Sequence, residues 1–393
     1  MRKSLAFALV MLASAARMAD AQQSIADVLT FLVTNQSVAT GNVDRDRAAA
    51  QATSDTISHA LLANLATLPV STSTGGFVYR LNPELGTVER ASSTFGPFFV
   101  ERALTAGARN MSIGLTFQHM RFTSLDGHDL RDGSFVTTAN QFTDESAPFD
   151  VDQLRLAIDA SIATFYGNVG LTDRVEIEFA VPMVLLRLEG SRTNRYRGQP
   201  FTQATASATA AGFADAVVRT KVMVYSDQGQ ALAAAVDVRL PTGRTEDLLG
   251  TGSTSVRFSG IGSIESGSLS AHANAGVTLG GIATGLSEIS YGAAVAAAAV
   301  SRVTVTGELI GRWLDVASGI VPVASPNPNI AGVNTVRLLP VGTGLHIISA
   351  APGVKWNVSD TWVLAANVMI PLVKRGLTTP VTPFVGIDYA FGK

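Results

Sequence analysis

Between Phe213 and Phe258 apolar and polar residues alternate with a period of two over three runs separated by polar turns. In Val217–Tyr225 the even positions carry Val218, Thr220, Val222 and Val224, while the odd ones include Arg219 and Lys221. Past Asp227-Gln228-Gly229 the pattern resumes, with Leu232, Ala234, Val236, Val238 and Leu240 opposite Ala233, Ala235, Asp237 and Arg239. A third run sets Val256 and Phe258 against Ser255, Arg257 and Ser259. This periodicity predicts antiparallel strands with one apolar and one charged face.

The same pattern repeats from Gly107 onwards and predicts about twelve strands long enough to cross a bilayer at a tilt, which takes about 9 to 11 residues each. They are Gly107–Phe122, Asp150–Asn168, Arg174–Leu188, Ala214–Tyr225, Gln230–Leu240, Ser253–Ile264, Ser268–Gly280, Glu288–Val300, Arg302–Val316, Val336–Asn357, Thr361–Val373 and Val381–Phe391. The tenth is too long and too rich in Pro and Gly for one clean strand. Their connections alternate in kind. Tight turns at 169–173, 227–229, 265–267, 300–302 and 358–360 alternate with mostly longer, polar loops at 123–149, 189–213, 241–252, 282–287, 317–335 and 374–380. Short periplasmic turns alternating with long extracellular loops are the layout of an outer-membrane barrel. The fold class expected is therefore all-β: a transmembrane antiparallel up-and-down β-barrel with a short N-terminal helical segment.

The N-terminal part has a different period. Ile25, Val28, Leu29, Leu32 and Val33 form a helical stripe behind Ser24, a candidate N-cap, and Asp55–Ala66 carries Ile57, Leu61 and Leu65 on one face. The two are joined by a polar linker, Ala39–Thr53, and are expected on the periplasmic side, as a cap or as a plug in the pore. Phe77–Arg90 reads as a hairpin about Asn82-Pro83-Glu84-Leu85-Gly86. Phe95-Gly96-Pro97-Phe98-Phe99 follows, an aromatic cluster that could pack on the helices or face a solute.

Composition favours a membrane barrel over a soluble sandwich. Only 15% of the 393 residues are charged and 47% are hydrophobic, with a mean hydropathy of +0.27. A net charge of -2 gives no electrostatic case for nucleic acid, and zero cysteines exclude disulfides and thiolate chemistry. Met1–Ala21 reads as a secretory signal, with Arg2 and Lys3 before the apolar Leu5–Leu12 and a small-residue site at Ala19-Asp20-Ala21. The expected organisation is a signal peptide at 1–21, an N-terminal helical plug or cap with a hairpin at 22–106, and the barrel at 107–393. The localisation that follows is the outer membrane of a Gram-negative-type cell.

If the outer face meets lipid, ionised residues belong inside, because an Arg or Lys turned to mid-bilayer costs about 2–4 kcal/mol. The lumen-lining set expected on this basis is Arg155, Asp159, Glu176, Glu178, Arg219, Lys221, Asp237, Arg239, Arg257, Glu308, Arg312 and Asp388, with Phe95, Phe98 and Phe99 as a constriction. Tyr166, Trp356, Trp362, Tyr389 and Phe391 fall on the outward parity beside the tight turns or the C-terminus, where an aromatic girdle belongs. Catalytic chemistry has weak support. His128 in Asp126-Gly127-His128-Asp129 could sit at a cation or serve as a base, and His119 has Ser112 and Ser124 nearby, but no third group completes a set. No catalytic residue, metal site or cofactor is assigned.

Two stretches carry a resemblance. The last strand, Val381–Phe391, with its near-terminal Phe391, resembles the signal by which outer-membrane barrels engage their assembly machinery, though Gly392 and Lys393 follow the aromatic. Val236-Asp237-Val238-Arg239-Leu240-Pro241-Thr242-Gly243, followed by Leu249-Gly250-Thr251-Gly252, is similar to a strand-loop-strand of the family named after the meta-pathway of phenol degradation. That resemblance implies an outer-membrane barrel admitting hydrophobic or aromatic compounds, akin in plan to fatty-acid channels, without catalytic residues. The expected function is porin-like passive transport of small hydrophobic or aromatic solutes, with outer-membrane lipid, solutes and the assembly machinery as partners. A closed structural barrel and a hydrolase at the rim are the alternatives.

Overall fold

The computed structural model describes residues 23–33, 44, 57–58, 61–62, 79–82, 87–90, 92–281, 286–315, 319–341, 344–359 and 361–391. The expected signal peptide at 1–21, the linker Ala39–Thr53 and Leu65 lie outside them, apart from Asp44 in the linker.

Twelve antiparallel strands close on themselves. They are β1 (Met111–Phe122), β2 (Asp150–Gly170), β3 (Val175–Tyr196), β4 (Ala216–Asp227), β5 (Gln230–Leu240), β6 (Ser255–Ser266), β7 (Leu269–Gly280), β8 (Leu286–Val300), β9 (Val303–Leu314), β10 (Leu345–Ser359), β11 (Trp362–Pro371) and β12 (Thr382–Phe391). Each pairs with its sequence neighbour, and β12 returns to β1 with Phe391 opposite Met111 and Phe384 opposite Gln118. All twelve expected strands are present, and the overlong tenth splits into a separate strand, Val333–Val341, and β10. Closure removes every edge of the ring, which a membrane-crossing sheet requires because lipid offers no hydrogen bonds.

The barrel is not of even height. β2 and β3 are 21 and 22 residues long, and the upper part of β3 pairs with a further strand, Gln199–Phe213, that leads after a break at Ala214–Asp215 into β4. Residues 189–213 are thus not the loop the sequence suggested but the top of a tall sheet. Their Ala, Ser and Thr residues lack the large apolar side chains that mark a strand. Even so, Ala204, Ala208 and Ala210 are buried on one face of it. On the other side of β2, the strands Phe135–Phe142, Val333–Val341 and Gly319–Pro326 extend the sheet outward.

This tall wall explains where the N-terminal helix sits. α1 (Ile25–Val33) starts as expected at Ser24, whose Oγ accepts the N–H of Asp27 at 3.1 Å. Its buried residues Ile25, Val28, Leu29 and Leu32 join Leu154, Leu156, Ile158, Leu186, Leu188 and Ala208 on the inner face of the wall, together with Ile57 and Leu61. The helix is therefore at the long-loop end of the barrel, not on the short-turn side where the sequence placed it. The predicted hairpin is present as Tyr79–Asn82 paired with Thr87–Arg90.

Candidate functional site: a plugged lumen

Side chains on the outer face of the ring are apolar and exposed: Leu115, Phe117, Phe165, Val236, Phe258, Val295, Val305 and Leu309 among them. The alternate positions point into the lumen. There the register builds a row of alternating sign across four strands, with Glu178 opposite Arg219, Arg219 opposite Asp237, and Asp237 opposite Arg257. Arg219 donates from Nε and Nη2 to the two oxygens of Asp237 at 2.5 and 2.8 Å. Arg257 Nε lies 3.3 Å from the same carboxylate. One row below, Lys221 is fully buried with Nζ 2.5 Å from Glu176 and 3.7 Å from Glu178.

An apolar exterior of barrel height around a charged interior has one environment in which both faces are satisfied. The chain is a transmembrane β-barrel of the outer-membrane type.

Residues 92–106 enter this barrel from the short-turn end and are fastened to the wall all round. Ser93 donates to the carbonyl of Gly267, and the N–H of Phe95 donates to Thr304 Oγ1 at 3.0 Å. Glu308 accepts three consecutive N–H groups, from Phe98 at 2.6 Å and from Phe99 and Val100 at 2.7 and 2.9 Å. On the neighbouring strand β10, Lys355 donates to the carbonyl of Pro97 at 2.8 Å and lies 4.9 Å from the Phe98 ring centroid. Glu101 pairs with Arg219 and lies 3.8 Å from Lys221. The segment leaves through the N–H of Ala103 on Ser263 and that of Ala106 on Glu176. Gly107 then turns at a φ of 84°, close enough to Gly170 that a Cβ there would lie 1.9 Å from the Gly107 carbonyl oxygen.

Phe95 and Phe98 are buried inside the barrel, and Phe99 stacks edge-on against Phe384 with centroids 4.9 Å apart. The aromatic cluster therefore packs on the wall and not on the helix. Above it a cavity of about 180 Å3 remains, floored by Phe99, Val100 and Glu101. One side is apolar, with Met120, Ile310, Ile347, Met369 and Phe384; the other carries Arg219, Arg257, Asn274, Glu288 and Arg312. Arg312 holds Glu288 through two bonds of 2.9 and 2.5 Å. A smaller cavity of about 60 Å3 towards the long-loop end contains Asp237 and Arg239 and shares Arg257, Glu288 and Arg312 with the first.

Most of the expected lumen set is here: Glu176, Glu178, Arg219, Lys221, Asp237, Arg239, Arg257, Glu308, Arg312 and Asp388 all lie on inward positions. Arg155 and Asp159 do not. They share the outward parity of Phe165, and the buried Leu154, Leu156 and Ile158 stand on the inside. Tyr166 is the converse error: expected in the girdle, it is buried and donates to Asp388 in the lumen. Trp356, Trp362 and Phe391 are exposed as expected, with Tyr389 stacked on Trp362 at 4.8 Å. Sequence reasoning missed Glu288 and Lys355, which had the inward parity, and Glu101, which lies outside any strand.

The histidines are dispersed. His119 Nδ1 is 3.0 Å from the hydroxyl of Ser161, not of Ser112 or Ser124, on the outer face. His272 bridges Ser263 and Ser270 at 2.8 and 3.0 Å beside the plug, where these serines also meet Ala103 and Thr94. Among the described residues no group of three or more His, Asp or Glu is placed to hold a metal ion.

Residues 139–285 match the family model for the MetA-pathway of phenol degradation. The match covers less than half of the chain, includes the strand-loop-strand from Val236 to Gly252, and begins well before it. No curated protein matches the sequence. Among solved structures, an outer membrane channel from Pseudomonas putida F1 is 13% identical, with a TM-score of 0.48 over 74% of this chain and 98% of that one. The Ralstonia pickettii toluene transporter is 11% identical, with a TM-score of 0.30 over 82% of this chain and 98% of that one. An outer membrane protease from Escherichia coli is 9% identical at a TM-score of 0.28, over 72% of this chain and 97% of that one. At such values these likenesses carry no weight for function.

Proposed function

We propose that this protein is an outer-membrane channel for passive uptake of small hydrophobic or aromatic solutes. The observation that supports it is the two-sided cavity above Phe99, where an apolar wall faces arginines already engaged with carboxylates. Such a site accepts a ring on one side and a single polar substituent on the other. Paired charges present hydrogen-bond donors without a strong net field, so solutes are held weakly enough to leave. The family match over residues 139–285 favours aromatic compounds within that class. Phe95, Phe98 and Phe99 form the constriction, and transport requires residues 92–106 to shift in the lumen.

A second reading rests on the density of the bonds that pin the plug: the barrel is closed and structural. Flux separates the two. Full-length protein in phosphatidylcholine liposomes is compared with a chain lacking residues 92–104, using phenol and a charged sugar acid as probes. Phenol flux from the full chain above that of protein-free liposomes, rising on truncation, supports the channel; flux no greater than the protein-free value from either folded protein rejects it. Ester hydrolysis abolished by His119→Ala would instead establish the rim enzyme.

A further inference from the structure

On β1, β2 and β3 the outer face stays apolar up to one level and then changes character. Phe117, Ala163 and Met183 lie side by side in register; two residues higher come His119, Ser161 and Leu185; two higher again come Arg121, Asp159 and Arg187. All of these are on the outward parity, and His119, Arg121 and Arg187 are exposed. Arg131, from the following loop, donates to Asp159 at 2.8 Å, and its own carbonyl accepts Arg155 Nε at 2.8 Å. Arg121 and Arg131 thus flank Asp159, Arg187 lies opposite it in register, Arg155 stands four residues higher on β2, and the exposed Glu189 is the second carboxylate on this face.

The height of this cluster is set by the chain. Arg121 is ten residues above Met111, the apolar residue at the short-turn end of β1. Ten residues rise roughly 34 Å along a strand, or about 25 Å along the barrel axis at the usual tilt, which is the height of the lipid-facing band. The cluster stands at the plane of the outer-leaflet headgroups. On the run β5 to β8 the outward residues near the top are instead Leu240, Val256, Leu279 and Ile289, so that side of the ring carries no such charge.

We infer that this sector binds the phosphate-bearing glycolipid of the outer leaflet, lipopolysaccharide, through Arg121, Arg155 and Arg187. Arg121 keeps 67% of its side chain exposed despite lying 3.6 Å from Asp159. Among the described residues neither Arg155 nor Arg187 has a carboxylate within ion-pair distance. Guanidinium forks match phosphate oxygens in pairs, and the membrane plane presents a phosphate at that level. Asp159, held between Arg121 and Arg131, spaces the cations, and with Glu189 on the same face four arginines against two carboxylates leave the cluster net positive. The inference rests on the outer-membrane reading and is independent of what crosses the lumen.

The test uses full-length protein folded in detergent, with folding verified by heat-modifiable mobility. Wild type and the triple variant Arg121→Gln, Arg155→Gln, Arg187→Gln are incubated with lipopolysaccharide, dephosphorylated lipopolysaccharide or phosphatidylglycerol. Retained lipid is read by native mass spectrometry. Wild type is expected to hold the phosphorylated glycolipid, with about a hundredfold weaker retention in the triple variant and comparable loss for the dephosphorylated form. Equal retention by the folded triple variant overturns the assignment, and equal retention of phosphatidylglycerol by wild type overturns the choice of lipid. If the triple variant does not fold, Arg187→Gln alone is expected to lose several-fold, and an unchanged value overturns the assignment. Phenol flux in phosphatidylcholine liposomes contains no glycolipid, so failure of this site leaves the channel reading standing.

Discussion

Glu308, on the inner face of β9, accepts the backbone N–H of Phe98 at 2.6 Å, and its second oxygen takes the next two N–H groups of the plug. One carboxylate thus replaces the strand partner that this stretch of backbone lacks. Glu308→Ala strands three buried donors, and each unpartnered donor costs about 1–3 kcal/mol. Because water can enter a lumen, part of that cost is recovered by the plug moving. The expected outcome is several-fold higher phenol flux with unchanged barrel folding. Glu308→Gln, which accepts through one oxygen, should fall between. Flux equal to wild type in both would show that the plug is held elsewhere.

Lys221 is the cation on which Glu176, Glu178 and Glu101 converge. Lys221→Met removes it and leaves three carboxylates facing one another with Arg219 alone beside them. Breaking a buried ion pair on one side costs about 3–5 kcal/mol. The temperature at which the heat-modifiable band disappears should therefore drop sharply. Adding Glu176→Gln, the partner at 2.5 Å, should restore part of it. A double variant no better than the single would mean that packing, not charge, is what Lys221 supplies.

The sequence revealed the twelve strands because lipid outside and a wet lumen inside force a period of two on every crossing. The sign row Glu178–Arg219–Asp237–Arg257 was legible for the same reason. What it did not reveal is the level at which the rule reverses. Above the apolar band the outside is water and headgroup, while the inside of the tall wall is dry because α1 packs there. On that stretch of β2 charge marks the outer face, so Arg155 and Asp159 were assigned inward by a rule valid only lower down, and Tyr166, on the opposite parity of the same strand, was assigned outward with them. Glu101 was invisible to any periodic argument because it sits on an extended segment with no partner strand.

That reversal can be checked residue by residue, since the chain contains no cysteine. Arg155→Cys and Leu156→Cys are neighbours on opposite faces, the first exposed and the second fully buried. In whole cells a membrane-impermeant maleimide should label Cys at 155 readily and Cys at 156 at least tenfold more slowly. The reverse order would return Arg155 to the lumen.

Lower down, the ordinary rule predicts the opposite asymmetry. Val236 is outward and midway along β5, and its neighbour Ala235 is inward and buried. Val236→Arg should cost about 2–4 kcal/mol in refolding into bilayers, the price of a cation at mid-membrane. Val236→Leu should be neutral. Cost-free insertion of Val236→Arg would place this face against water or another protein.

Gly114 lies in register between Tyr166 on β2 and Asp388 on β12, at the seam where the last strand meets the first. The tyrosine ring passes directly over it to reach the carboxylate: a Cβ on Gly114 would stand 2.3 Å from Tyr166 Cζ and 2.7 Å from Asp388 Oδ1. Glycine at this position is thus a condition for that contact, and the contact satisfies a buried carboxylate that has few other donors to turn to. Gly114→Val must expel the ring, which breaks the bond and leaves Asp388 buried and short of a donor, on top of the steric conflict. Tyr166→Phe removes the donor without the clash and should cost about 1–3 kcal/mol. The valine variant should be worse than Tyr166→Phe in folding yield, and Tyr166→Ala combined with Gly114→Val should recover part of the difference by removing the ring. If Gly114→Val folds as well as Tyr166→Phe, the seam tolerates a displaced ring, and closure of the barrel is governed by strand pairing alone.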